Sequence, residues 1–227
     1  MKIAELFYSI QGEGLLLGVP SFFVRTTGCN LRCTWCDTPY TSWQPEGREM
    51  AIEEMVAEAV RHPGRHVVIT GGEPMIAPGV VELTQAFRRA GFHITVETAG
   101  TVFQPVECDL MSISPKLANS TPHEREGGRW AAQHDRLRVQ PDVLRKLTSH
   151  FNYQLKFVFQ AEADLVEINE LVGMVGARVD QVLLMPEGTN PAVLRERSVA
   201  LAELCKRTGY RMSPRLHVDL WGDRRGV

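Results

Sequence analysis

Short apolar runs and amphipathic stretches alternate along the chain. Segment 2–10 alternates loosely, and 21–26 reads Ser-Phe-Phe-Val-Arg-Thr, apolar at its centre with Arg25 near its end. Residues 52–60 place Ile52, Met55, Val56, Ala59 and Val60 at a spacing that gives a helix one buried stripe. The run 65–70, Arg-His-Val-Val-Ile-Thr, is the continuous β-branched kind that forms a strand covered on both faces. A helix over 80–90 and strands over 93–98 and 109–114 continue the series. Further strands are predicted at 154–159, 181–185 and 210–217, with helices between them. The best marked helix has Asn190 as its cap and Pro191 at its first position, then Val193, Leu194, Leu201 and Leu204.

Strands alternating with helices imply a parallel sheet with right-handed crossovers. About six such units are too few for the closed eight-stranded barrel. The predicted fold is therefore α/β, a partial, open parallel β/α barrel spanning 1–227 as a single domain, with its site at the carboxyl ends of the strands. Segment 117–140 is charged, contains glycine and has no clear period, so it is expected to be a loop or lid insertion.

Composition narrows the function. With 44% hydrophobic residues in 227, the chain can bury one substantial core. A net charge of −2 and a pI near 6.4 argue against a direct grip on nucleic acid, which needs local excesses of Lys and Arg. No stretch approaches the ~18 consecutive apolar residues of a spanning helix, so no membrane association is expected. The opening Met1-Lys2-Ile3-Ala4-Glu5 passes into a strand without an apolar signal core, which predicts a soluble, cytoplasmic protein.

The strongest chemical signal is Cys29-Asn30-Leu31-Arg32-Cys33-Thr34-Trp35-Cys36, a C-x-x-x-C-x-x-C run just past the strand at 21–26. Three thiolates on one loop can hold three irons of a cubane cluster and leave the fourth open to a ligand. Cys108 and Cys205 lie far along the chain and read as buried small hydrophobes. A cytoplasmic setting disfavours a disulfide, and structural zinc usually takes four local ligands. Polar residues gather at the other strand ends, in Gly71-Gly72-Glu73-Pro74, in Glu97-Thr98-Ala99-Gly100 and in Ser114-Pro115-Lys116. Gly12 and Gly14 let the stretch 9–14 turn tightly beside Gln11 and Glu13. Alone, the Gly-Gly-Glu-Pro stretch is equally a plain strand-to-helix turn, the turn at 9–14 is more often only a turn, and a single lysine such as Lys116 is usually a solvated one. A non-enzymatic iron–sulfur or zinc module remains open.

Taken together, the cysteine run and the Gly-Gly-Glu-Pro after the next strand resemble the radical S-adenosylmethionine superfamily. The blocks at 9–14, 23–25, 36–38, 97–101, 114–116, 155–158 and 215–227 are similar to its 7-carboxy-7-deazaguanine synthase family. The resemblance implies a 4Fe-4S cluster on Cys29, Cys33 and Cys36, and S-adenosylmethionine beside Trp35, Gly72, Glu97, Ser114 and Lys116. It implies a pterin among Ile10, Gln11, Gly12, Glu13, Arg25 and Thr70, with Arg25 on its carboxylate and Thr38 on a magnesium ion. The implied reaction is the ring contraction of 6-carboxy-5,6,7,8-tetrahydropterin to 7-carboxy-7-deazaguanine with loss of ammonia, a carbon–nitrogen lyase step that feeds queuosine in transfer RNA. A flavodoxin-like electron donor and a homodimer are implied as well. An activase acting on a glycine of a partner protein would share the cysteines and Gly-Gly-Glu-Pro, and differs at Gln11 to Glu13, Arg25 and Thr38.

Overall fold

The computed structural model describes residues 1–227. Its strands are β1 (Lys2–Ile10), β2 (Pro20–Thr26), β3 (Arg48–Glu49), β4 (His66–Gly71), β5 (His93–Thr98), β6 (Leu110–Ile113), β7 (Tyr153–Phe159), β8 (Val182–Pro186) and β9 (Arg211–Met212). They form one sheet in the order β3-β1-β2-β4-β5-β6-β7-β8-β9. From β2 to β9 every neighbouring pair is parallel. The sheet is not closed: β3 and β9 are its two edges. The helices are α1 (Pro39–Ser42), α2 (Ile52–Val60), α3 (Val80–Arg89), α4 (Ala131–Arg138), α5 (Pro141–His150), α6 (Asp164–Val175), α7 (Pro191–Thr208) and α8 (Leu216–Trp221). None is long and apolar enough to cross a membrane.

The open α/β sheet agrees with the sequence reading, and three details refine it. β1 and β3 run antiparallel, so the first edge is a hairpin-like addition rather than a further β/α unit. The strand expected over 210–217 shrinks to Arg211–Met212, because Pro214 has no N–H for the ladder and the chain turns into α8. Segment 117–140, expected as a loop or lid, contains two 3-10 turns and α4.

Side chains alternate across the sheet with a period of two. One set, Phe22, Val24, Val67, Ile69, Ile94, Val96, Met111, Ile113, Leu155, Phe157, Val182 and Leu184, joins the main core, to which α2, α3, α5, α6 and α7 also contribute. The spacing that buries Val80, Leu83 and Phe87 of α3 puts them on one stripe. Full burial of one such side chain contributes about 1.5–3 kcal/mol. α7 starts where Asn190 Oδ1 accepts from the Ala192 and Val193 amides at 2.9 and 3.4 Å, and ends at Gly209, whose φ of 76° suits a residue without a Cβ.

The other set is mixed: Phe23, Val68, Leu183 and Met185 are apolar, and other positions carry polar groups. Toward the amino ends of the strands it closes on itself: His66 sits between Ser21 Oγ (2.6 Å) and Thr95 Oγ1 (2.8 Å), and Gln154 Nε2 donates to Ser112 Oγ (2.7 Å). Burial pushes the His66 pKa down to about 4, so its ring is neutral and bridges β2, β4 and β5 with one donor and one acceptor. Toward the carboxyl ends the same face opens into a cavity.

Candidate active site

The cavity measures about 370 Å³. Arg25 on β2, Thr70 on β4, Glu97 on β5, Ser112 on β6 and Lys156 on β7 all line it. The loop after β1 crosses this face. There Gln11 Nε2 donates to Glu97 Oε1 at 3.1 Å, and Gln11 Oε1 accepts from the Glu13 amide at 3.1 Å. Ile10, Gln11, Gly12, Glu13, Arg25 and Thr70, expected around a pterin, thus share one wall system with Trp35, Gly72, Glu97, Ser114 and Lys116, expected around S-adenosylmethionine.

Glu13 is the electrostatic centre of the cavity. Burial opposes its ionisation, but Lys156, Arg215 and His217 outweigh burial and hold its carboxyl well below the ordinary carboxylate range. Lys156 Nζ pairs with Glu13 Oε2, and Arg215 Nε with Glu13 Oε1 at 3.1 Å; His217 Nε2 is 3.9 Å from the same oxygen. Arg215 also donates to Asp37 Oδ2 (2.5 Å) and to the Gly188 carbonyl (2.6 Å). One guanidinium therefore joins the loop after β1, the cysteine loop and the loop after β8 across the open side of the sheet. Arg25 spends only its Nε on Glu5, at 2.8 Å, and its two terminal nitrogens stay available to a planar anion. Tyr40 OH donates to the same Glu5 oxygen at 2.5 Å.

The cysteine loop forms the adjoining wall. Burial pushes the thiols of Cys29 and Cys33 up to about 12, and Cys36 Sγ lies 3.3 Å from Ser42 Oγ. Such thiols keep their protons until a cation displaces them, as the ligands of a metal cluster do. Gly72 lets the end of β4 meet this loop: a Cβ there would come within 2.8 Å of Cys29 Cβ and of the Gly28 carbonyl carbon. The Gly72 amide donates to the Thr26 carbonyl at 3.3 Å, so its carbonyl is the group it can offer a ligand. Beneath it Glu73, fully buried, accepts from the Met75 amide (3.0 Å), Thr98 Oγ1 (2.7 Å) and the Ala99 amide (2.8 Å), which locks the end of β4 to the end of β5. Lys116 Nζ donates to Ser114 Oγ at 2.8 Å and stands 5.8 Å from the centre of the Trp35 ring. The donor set, three thiols beside a glycine backbone and a lysine, fits a cluster with an amino-acid-like ligand. Thr38 adds a hydroxyl to the cavity wall, 3.4 Å from Thr41 Oγ1.

Sequence reasoning missed Lys156, Arg215, His217 and Asp37. All four lie in blocks that carry the resemblance, 36–38, 155–158 and 215–227, and for Lys156 the alternation with apolar residues in β7 adds a second signal, placing a lysine on the cavity face.

Comparison with known proteins assigns the geometry to a family. Residues 23–121 match the Radical SAM superfamily, a span running from β2 through the cysteine loop and Gly71-Gly72-Glu73-Pro74 to Thr121. The 7-carboxy-7-deazaguanine synthase of Halobacterium salinarum is 44% identical, covering 98% of this chain and 91% of the relative. That of Rhodopirellula baltica is 43% identical over 100% of this chain and 89% of its own. The chain belongs to the 7-carboxy-7-deazaguanine synthase family. The crystal structure of QueE from Escherichia coli superposes with a TM-score of 0.69 at 27% identity, covering 95% of this chain and 94% of that one. Membership of this radical S-adenosylmethionine family implies a 4Fe-4S cluster and S-adenosylmethionine. Glu13, Lys156, Arg215 and His217 lie outside the superfamily match.

Proposed function

We propose that the protein converts 6-carboxy-5,6,7,8-tetrahydropterin to 7-carboxy-7-deazaguanine and ammonia, as a magnesium-dependent lyase in the cytoplasm. The observation that carries the reading is the ionised Glu13 carboxylate in a cavity that also holds Arg25, in a chain 44% identical to a named synthase. A carboxylate that stays charged accepts two N–H groups at once, which suits the amino-pyrimidinone edge of a pterin. Gln11 adds an amide next to it, and Thr70 a hydroxyl. Arg25 clamps the substrate carboxylate through its terminal nitrogens, and Thr38 gives one oxygen to magnesium, which keeps the rest of its shell from water and substrate.

Cys29, Cys33 and Cys36 hold the cluster. Gly72 offers its carbonyl to the methionyl amino group, Ser114 and Lys116 bind the polar end of S-adenosylmethionine, and Trp35 and Glu97 flank it. When bound, these two groups supply the hydrogen-atom abstraction that opens the rearrangement. The protein's own share is positioning: it holds the pterin edge at Glu13 and the carboxylate at Arg25, so that one ring carbon faces the cofactor. A flavodoxin-like donor supplies the electron, and the protein acts as a homodimer.

The test uses anaerobically reconstituted, reduced protein with S-adenosylmethionine, magnesium and 6-carboxytetrahydropterin, read by mass spectrometry. Appearance of 7-carboxy-7-deazaguanine, abolished in Cys33→Ala, is the expected result. Cleavage of S-adenosylmethionine without deazaguanine would overturn the pterin assignment.

A further inference from the structure

Within the cysteine loop the amides of Leu31 and Cys36 find internal acceptors, Cys29 Sγ at 3.4 Å and the Cys33 carbonyl at 3.3 Å, and segment 117–140 supplies acceptors for two more. The amide of Thr34, just after Cys33, donates to the Ser120 carbonyl at 2.8 Å. The amide of Arg32, just before Cys33, donates to His134 Nδ1 at 3.1 Å. On its other side His134 Nε2 lies 2.8 Å from Ser120 Oγ, and Ser120 Oγ donates to the Leu117 carbonyl at 2.6 Å. Only one arrangement of protons satisfies this chain. A backbone amide can only donate, so Nδ1 carries no proton. Nε2 then carries it and donates to Ser120 Oγ, whose own hydrogen is already directed to Leu117. Ser120 is fully buried and His134 is 1% exposed, so solvent cannot replace either partner. Both amides that flank Cys33 therefore end on one buried pair, Ser120 and His134.

We propose that His134, held as the Nε2–H tautomer by Ser120, is a positioning residue for the cluster: it takes the Arg32 amide away from the Cys33 sulfur and fixes that thiolate's approach. The inference rests on the cysteines holding the cluster. Amides that point at cluster sulfurs alter the charge on the iron–sulfur core, and a loop that loses such an outer contact holds metal less well by about ten-fold or more. Segment 117–140 is, on this view, a brace for the cysteine loop.

Two substitutions separate the two bonds of the ring. In His134→Asn the side-chain oxygen takes the position of Nδ1 and still accepts from Arg32, while the link to Ser120 is lost. In His134→Gln the amide reaches Ser120 and the Arg32 acceptor is lost. Each protein is reconstituted anaerobically, then followed for iron release to a chelator and for the electron paramagnetic resonance spectrum of the reduced cluster. The expected result is near wild-type iron retention and spectrum for His134→Asn. For His134→Gln, iron release is about ten-fold faster and the spectrum is shifted. Equal behaviour of the two variants, whether both intact or both impaired, overturns the proposal and leaves His134 with a general packing role. Failure of the wild-type protein to take up iron and sulfide overturns the cluster assignment beneath it, a result read before either variant is made.

Discussion

Phe157 and Lys156 are neighbours in β7 and face opposite ways. Phe157 is fully buried in the main core, and Lys156, 7% exposed, projects into the cavity beside Glu13. The same division holds for Ile69 and Thr70 in β4 and for Val96 and Glu97 in β5. A strand buried on both faces can thus hold the fold together with one set of residues and present chemistry with the next. Burial alone does not distinguish the two sets; what distinguishes them is whether a buried group finds its partner inside the core or across the cavity.

Three substitutions test that division. Phe157→Ala should lower stability by about 3–5 kcal/mol, read as a shift of the urea midpoint, with turnover per folded molecule retained; loss of turnover in the folded fraction would break the division. Lys156→Met should act on substrate binding as well as on stability. It removes one of the cations that keep Glu13 ionised, so KM for the pterin should rise by about ten-fold, equivalent to ~1.4 kcal/mol, with a stability loss of about 1–3 kcal/mol near neutral pH. The pH dependence of that loss sharpens the case. Glu13 has a folded pKa below its unfolded value of about 4.3, so its contribution is complete above that pH and fades as pH falls through the folded value. The gap between wild type and Lys156→Met should narrow below about pH 4 in urea titrations, and a gap independent of pH would sink the electrostatic account. The smallest effect is expected from Asn190→Ala, which removes the cap of α7 on the outer layer. It should cost about 1 kcal/mol in thermal melting and leave turnover unchanged.

Much of this organisation can be read from the sequence because it is local. Cys29, Cys33 and Cys36 lie on one loop, Gly71 and Gly72 end one strand, and α2 declares itself within nine residues, burying Met55 and Ala59 of its expected stripe while Val60 is exposed. The parts that stay hidden depend on partners far away in the chain. Arg215 meets Glu13 across 202 residues and Asp37 across 178, and Lys156 meets Glu13 across 143. No periodicity links such positions. Arg215 shows its role only when the opposite wall of the cavity is in view, and the strand expected over 210–217 stops at Met212. His134 is hidden for the same reason: its partner is a backbone amide 102 residues earlier, and a backbone amide leaves no trace in a sequence.

The span of the Arg215 contacts bears on how the protein is made. A ribosome working at about 5–20 residues per second releases Asp37 many seconds before the residue that pairs with it, 178 positions later. During that interval the cysteines have emerged, while Ser120, His134 and finally Arg215 arrive in turn. The newborn chain therefore exposes its thiols to the cell before the cavity around them has a second side, and iron delivered at that stage meets a loop without its brace. The contact that ties the cysteine loop to the far side of the cavity can form only when nearly the whole chain has been made.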